Sequence, residues 1–175
     1  MKGLRIRLAV GIAVIIAGGS AAVAVATDRF GFKTDLSGYQ EVPAVSTDGG
    51  GTFRAAVNRR SQEIRWELTF GRLTSPALQA HIHFGQLSVN GGISVFLCTN
   101  LGNGPAGTQA CPPQGGRISG TIKPVDVIGP GDQGIAPGEF AELVRAIRAG
   151  ATYANVHTDK FKGGEIRGQI PGQHD

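Results

Sequence analysis

The sequence predicts an all-β fold, an antiparallel β-sandwich with one short helix near residues 137–149. Short segments of alternating polar and apolar residues follow one another, separated by turn-forming residues, which is typical of sandwiches. Glycine is abundant, at 28 of 175 residues, and this favours a fold with many tight turns. The chain length is within the usual range for one domain.

The strand that covers residues 63–70 has the clearest pattern. Apolar Ile64, Trp66, Leu68 and Phe70 alternate with polar residues, so one face of the strand is expected in the core. Further strands are predicted at residues 30–36, 52–57, 79–84, 92–97, 117–123, 153–158 and 165–170.

One segment departs from the β pattern and predicts the helix. Pro137 suits the first helical turn, and Gly150 suits the end. Between them, apolar residues recur at helical spacing and should pack on the sandwich: Phe140, Leu143, Val144 and Ile147.

The first 26 residues are predicted to be a signal peptide. Three basic residues precede an apolar stretch from Leu8 to Ala17, and Ala24-Val25-Ala26 forms an A-x-A cleavage pattern. An uncleaved membrane anchor is the alternative, because the apolar character extends over nearly a bilayer span. In both cases residues 27–175 form one domain, with its core at 30–170, that is secreted or held outside the cytoplasm by its N-terminus.

The charge of the chain belongs partly to this leader. Three of the 17 Lys and Arg residues lie in it and none of the 13 Asp and Glu residues does, so the remaining chain is close to neutral. No long basic run remains, and a nucleic acid partner is therefore not predicted. Contact with a membrane is expected only through an uncleaved N-terminus.

The two cysteines, Cys98 and Cys111, lie in the exported part, where thiols are normally oxidised. They bracket a loop rich in Gly, Pro, Asn and Gln, and a structural disulfide is predicted. A reactive thiol or a metal thiolate would require a reducing compartment or a C-x-x-C pair, and neither is indicated.

Three histidines form the main candidate site. His81 and His83 are two residues apart on a strand and project from one face, while Ala80 and Ile82 face the core. His157 also points away from the core in its own strand. If the strands are neighbours, the three imidazoles converge on an open patch that suits copper or zinc. A structural cluster of polar side chains is the alternative.

Two carboxylates and their neighbours could support this site. Glu41 precedes Val42-Pro43, and Glu165 follows Gly163-Gly164. Glu165 and Arg167 share a strand face, which predicts a surface ion pair; the alternative is a carboxylate that orients a histidine ligand. Asn155 lies on the face of His157.

Three segments of the chain resemble the motifs of the CHRD (chordin) domain family. They are Leu36–Pro43 (LSGYQEVP), Ala80–Gly85 (AHIHFG) and Asn155–Gln169, which contains NVHT and FKGGEIRGQ. The resemblance covers about residues 30–170. It implies an immunoglobulin-like β-sandwich of the kind found in exported bacterial proteins, without an established catalytic activity. The His81–His83 strand is also similar to the copper-ligand strand of Cu,Zn superoxide dismutases.

These observations leave three functions open. A non-catalytic extracellular module that binds a protein, a glycan or a surface is the main expectation. A copper- or zinc-binding domain that uses His81, His83 and His157 is the alternative, and a dismutase-like enzyme is the third. A dismutase needs more histidines than this set, and His174 lies in the C-terminal tail. No catalytic residue is predicted, since nucleophile-elbow, zincin and phosphate-loop motifs are absent from the sequence.

Overall fold

The computed structural model describes residues 31–173; the predicted signal peptide and His174 lie outside them. The described chain contains eight strands and one α-helix. The strands are β1 (Phe32–Ser37), β2 (Gly50–Asn58), β3 (Glu63–Gly71), β4 (Ala77–Phe84), β5 (Gly92–Thr99), β6 (Gly115–Ile122), β7 (Thr152–Thr158) and β8 (Ile166–Ile170), and α1 spans Phe140–Arg148. All the strand pairs are antiparallel, so the predicted all-β fold with one short helix is confirmed.

The strands form one continuous sheet in the order β5-β4-β7-β8-β1-β2-β3-β6. It folds around a single apolar core, and its two edge strands, β5 and β6, approach each other to give a near-barrel. The last two strands of the chain, β7 and β8, occupy the middle of the sheet. This places β7 directly beside β4, as the histidine hypothesis requires.

Strand β3 behaves as its pattern predicts. Ile64, Trp66, Leu68 and Phe70 are buried, whereas the intervening residues are partly or fully exposed. The strand pairs with β2 on one side and β6 on the other, so its apolar face closes one wall of the core.

Helix α1 is shorter than predicted at its start. Gly138 has φ +86°, which is incompatible with a helix, so Pro137 lies outside and the helix begins at Phe140. Its apolar stripe is buried as expected, and Arg145 and Arg148 lie in the last turn, where they suit the helix dipole. No helix among residues 31–173 is long and apolar enough to cross a bilayer.

Strand β7 differs from a surface strand, because all seven of its residues are buried. One face meets the apolar core through Ala154 and Val156. The other face is polar, with Tyr153, Asn155 and His157, and connecting loops cover it. The expectation of an open patch is therefore wrong: a second, polar layer lies between the sheet and these loops.

Candidate metal centre

The register of β4 against β7 brings the three histidines together. His83 lies opposite Tyr153, His81 lies opposite Asn155, and His157 lies opposite Gln79. The three imidazoles thus come from two adjacent strands and project from the same face of the sheet.

The three rings surround a common point. Nδ1 of His81 is 3.1 Å from Nε2 of His157, and the three candidate ligand atoms lie within 4.8 Å of one another. The ring centres of His81 and His83 are 5.3 Å apart, those of His81 and His157 4.9 Å, and those of His83 and His157 5.8 Å. Three imidazoles that share one metal ion, with bonds of about 2 Å, have ring centres about 5 Å apart.

Backbone carbonyls orient two of the rings. Nδ1 of His83 donates to the carbonyl of Gly91 at 3.0 Å, and Nδ1 of His157 donates to the carbonyl of Lys162 at 2.9 Å. A carbonyl can only accept, so each Nδ1 carries the proton and each Nε2 keeps a free electron pair. A hydrogen bond at the outer nitrogen is the usual way to hold a metal-binding histidine in place.

Two ring nitrogens in this group have no protein partner. Nε2 of His81 and Nε2 of His83 are buried and accept no hydrogen bond. Most buried polar atoms in folded proteins are satisfied, so a pair of unpartnered acceptors on adjacent rings calls for an explanation. A bound cation would provide one.

Burial keeps the imidazoles neutral. It lowers the pKa of His81 to about 2, with the neighbouring His157 and His83 acting in the same direction. Burial also lowers the pKa of His83 to about 4, opposed by the bond to Gly91. The pKa of His157 is lowered for the same reason. All three rings are therefore neutral at neutral pH, with one nitrogen of each ring free of a proton, which is the form that binds metals.

Two aromatic rings pack against the histidines. Phe96, which pairs with His81 across β4 and β5, meets its ring edge-on at 4.3 Å between centres. Tyr153 stacks on His83 at 4.8 Å, with an interplanar angle of 2°. His81 has no exposed surface, and His83 and His157 retain 7% and 6%.

Glu41 and Asn155 form a buried pair beside the histidines. Nδ2 of Asn155 donates to Oε1 of Glu41 at 2.7 Å. Burial raises the pKa of Glu41 to about 7, although Arg167 and Asn155 act against this shift. Gly164, at φ +132°, runs so close that a Cβ there would lie 2.6 Å from Oε1 of Glu41. The Glu41 segment is thereby tied to β7.

Glu165 is fully buried and serves a different role from the one expected. Its carboxylate accepts four hydrogen bonds from three threonines, at 2.7–3.1 Å; they come from Thr47 Oγ1, the backbone N–H and Oγ1 of Thr74, and Thr158 Oγ1. The predicted surface ion pair with Arg167 is wrong, because Glu165 is enclosed by these threonines. Its contacts tie the residue that precedes β8 to the end of β7 and to the loops after β1 and β3.

Arg167 is buried as well and lies over the opposite end of the polar layer. It donates to the carbonyl of Gln40 at 2.8 Å and to Oδ1 of Asn90 at 3.0 Å. Its guanidinium also lies 4.3 Å above the ring of Tyr153. Because Tyr153 stacks on His83, only the ring of Tyr153 separates this fixed positive charge from His83.

The predicted Cys98–Cys111 disulfide is present. The loop that it closes reaches the site from the β5 side. Nδ2 of Asn103 donates to Oε1 of Gln79 at 3.1 Å, and Gly104 packs so closely on Phe96 that a Cβ there would lie 3.2 Å from its ring. The loop thus backs the aromatic ring that covers His81.

Sequence reasoning missed the loop residues that enclose the site. Asn90 and Gly91, in the connection from β4 to β5, hold Arg167 and His83, and Lys162 holds His157. They contribute backbone carbonyls or an amide rather than ligands, so their residue types carry no recognisable signal. In these loops only the neighbours of the two carboxylates, Val42-Pro43 and Gly163-Gly164, are identified from the sequence.

Comparison with known proteins places the chain in a family. The profile of the CHRD domain matches residues 32–170, which include every strand and the three histidines. Neither a curated protein nor a solved structure gives a match. The profile covers most of the chain, and the chain therefore belongs to the CHRD domain family.

Proposed function

We propose that this protein is an exported CHRD domain that binds one copper or zinc ion through His81, His83 and His157. The observation that carries the proposal is the convergence of three neutral imidazoles, two of which have buried Nε2 atoms without a partner. Imidazole nitrogen is a preferred ligand of both metals.

A histidine cluster that only stabilised the fold would not explain the two unpartnered Nε2 atoms. A hydrogen-bonded histidine network stabilises a fold when its donors and acceptors are matched. Here the only bond between rings is the His81–His157 contact, and the two remaining acceptors face no donor. An unsatisfied buried acceptor costs about 1–3 kcal/mol. The metal-binding role explains why the cluster retains two of them.

The surrounding residues would hold the ligands ready. The carbonyls of Gly91 and Lys162 fix two rings with Nε2 turned inward. Phe96 packs edge-on against the ring of His81, and Tyr153 stacks on the ring of His83, so both rings are held in position. All three rings are neutral at pH 7, so binding does not compete with protonation. The ion would, however, replace the His81–His157 hydrogen bond, because both use Nε2 of His157.

Metal titration of the purified protein tests the proposal. The full chain, leader included, should be expressed so that the host processes it, then stripped of metal and titrated with Cu(I) under reducing, anaerobic conditions and with Cu(II) and Zn(II). We expect one ion per chain, with affinity lost in a His83→Ala, His157→Ala double variant that still shows the native circular dichroism. Absence of binding of copper or zinc by the wild-type protein would refute the proposal.

A second candidate function is a non-catalytic module for an extracellular protein, glycan or surface. Exposed apolar side chains on adjoining loops favour it: Tyr39 is 73% exposed and Leu87 64%. Asn90 joins the two loops through a bond to the carbonyl of Val42. A glycan array probed with wild type and a Tyr39→Ala, Leu87→Ala variant tests the glycan case; binding that the variant retains would argue against this surface.

A further inference from the structure

We infer that the three-histidine site selects monovalent copper, Cu(I), over the divalent ions Cu(II) and Zn(II). The inference rests on the proposed metal-binding function and specifies the ion. It follows from the number of ligands, from the charge around the site and from its burial.

The ligand set is neutral. Among residues 31–173, the cluster that could hold a metal contains three histidines and neither a carboxylate nor a thiolate. A zinc ion with three histidines completes its tetrahedron with water or hydroxide. Cu(I) forms stable complexes with three ligands and needs no fourth.

The space around the rings is poorly suited to a bound water. The ring of Phe96 covers His81 edge-on and the ring of Tyr153 covers one face of His83. The hydroxyl of Tyr153 already accepts a hydrogen bond from the N–H of Gly91. A water on the metal would need polar partners of its own, and the two aromatic rings provide few. The exception among these neighbouring side chains is the unpartnered Oδ1 of Asn155, across from His81.

The fixed charge of Arg167 also disfavours a divalent ion; it is opposed by Glu41, whose carboxyl group is only partly ionised at neutral pH because burial raises its pKa to about 7. Arg167 lies 4.3 Å over Tyr153, which stacks 4.8 Å from His83. Repulsion between the guanidinium and a metal ion is proportional to the charge of the ion, so it is twice as large for Zn(II) as for Cu(I). The cost of burying the ion rises even more steeply with its charge.

Two further groups, the amide oxygen of Asn155 and the ring of His174, must be considered as additional ligands of the ion. Oδ1 of Asn155, across from His81, is buried without a hydrogen bond, but a neutral amide oxygen is a hard donor that Cu(I) does not favour. His174 lies outside the described residues. A His174→Ala variant should therefore bind Cu(I) with unchanged affinity.

Competition titrations measure the preference. Anaerobic Cu(I), kept reduced by ascorbate, is shared between the protein and bicinchoninate, while Cu(II) and Zn(II) are titrated against glycine and a zinc dye. We expect Cu(I) to bind at least about tenfold more tightly than either divalent ion. A factor of this size corresponds to the repulsion between one extra unit charge on the ion and the guanidinium of Arg167 on the far side of Tyr153. X-ray absorption of the Cu(I) form should show three nitrogen ligands.

The outcomes separate this inference from the proposed function. Equal or tighter binding of Zn(II) or Cu(II), a fourth light-atom ligand on Cu(I), or weaker Cu(I) binding by His174→Ala would overturn the Cu(I) assignment and leave metal binding intact. No binding of any ion would overturn both. A Phe96→Ala variant, which opens space for water, should narrow the preference; an unchanged ratio would count against the role given to that ring.

Discussion

Nδ1 of His81 lies 3.1 Å from Nε2 of His157, although 76 residues separate them in the sequence. Nδ1 of His157 donates its proton to the carbonyl of Lys162, so Nε2 of His157 carries no proton and can only accept. The proton between the two rings therefore belongs to Nδ1 of His81. Nε2 of His81 is then a free acceptor, buried and unused. Two electron pairs of the cluster, on Nε2 of His81 and Nε2 of His83, are thus taken up by no protein group, while that of His157 accepts the His81 proton.

Replacing His81 by an apolar residue of similar size tests whether the cluster exists for stability. His81→Leu removes one unsatisfied acceptor and one hydrogen bond to His157, and these effects oppose each other. We expect the free energy of unfolding of the metal-free protein to change by less than about 1.5 kcal/mol. Metal binding should be lost.

The matched control is His81→Ala, which leaves a cavity and should cost about 2–4 kcal/mol. Urea denaturation of both variants gives the comparison. A His81→Leu protein as unstable as His81→Ala would mean that the imidazole is needed for folding.

The buried histidines should make the metal-free protein acid-sensitive. The pKa values of His81, His83 and His157 are lower in the folded chain than the ordinary 6.5, so the unfolded chain binds more protons below that pH. Their contribution to stability is therefore lost as the pH falls below 6.5. Glu41 acts in the opposite sense between its ordinary pKa of 4.5 and about 7, because its folded form holds the extra proton.

The destabilising effect of the three histidines at lower pH is larger than the stabilising effect of Glu41. The free energy of unfolding should therefore fall by on the order of 2–4 kcal/mol from pH 7 to pH 5. Urea denaturation of the metal-free protein at several pH values measures the slope. His81→Leu should show a shallower slope, and a stability that rises toward pH 5 would contradict the assigned protonation states.

Gly164 should tolerate no side chain. At φ +132° a Cβ would lie 2.6 Å from Oε1 of Glu41 and 2.7 Å from Nδ2 of Asn155. Backbone strain and the clash together should cost about 3 kcal/mol or more for Gly164→Ala. Gly163→Ala is the control, since nothing lies within 4 Å of its Cβ. Thermal unfolding should distinguish the two; similar melting temperatures would contradict the tight approach.

The disulfide should matter for both stability and metal retention. Cys98 and Cys111 are buried and close a loop with a separation of 13 residues, so a double Cys→Ala variant should lose about 3 kcal/mol. Because the loop backs Phe96 through Gly104, metal should transfer to a competing chelator faster from the variant. Stopped-flow transfer rates measure this effect, and equal rates would show that the loop does not control access.

Strand positions could be predicted because each depends on a local pattern. The alternation over residues 63–70 recurs in β3, and the spacing of His81 and His83 placed them on one face. The enclosure of that face could not be predicted, since it depends on contacts between distant segments. Asn155 and Glu41, for instance, are separated by 114 residues.

Contacts between distant segments also explain why the predicted ion pair between Glu165 and Arg167 is wrong. Two residues apart on a strand, Glu165 and Arg167 share a face, and a solvated face favours pairing of opposite charges. The two loops that carry Thr47 and Thr74 cover Glu165 instead, and Asn90 and Tyr153 contact Arg167. Once water is excluded, each group takes the hydrogen-bond partners that the covering loops bring.

The placement of β7 in the middle of the sheet has a consequence for biogenesis. His81 and His83 emerge early in the chain, but His157 joins them only when β7 inserts between β4 and β8. A chain in which β7 has not yet paired therefore offers two of the three ligands, on a strand that lacks its neighbour toward the middle of the sheet. The three-histidine site is complete only after the last strand pairings, so the folded protein, rather than a partly folded chain, would take up the ion.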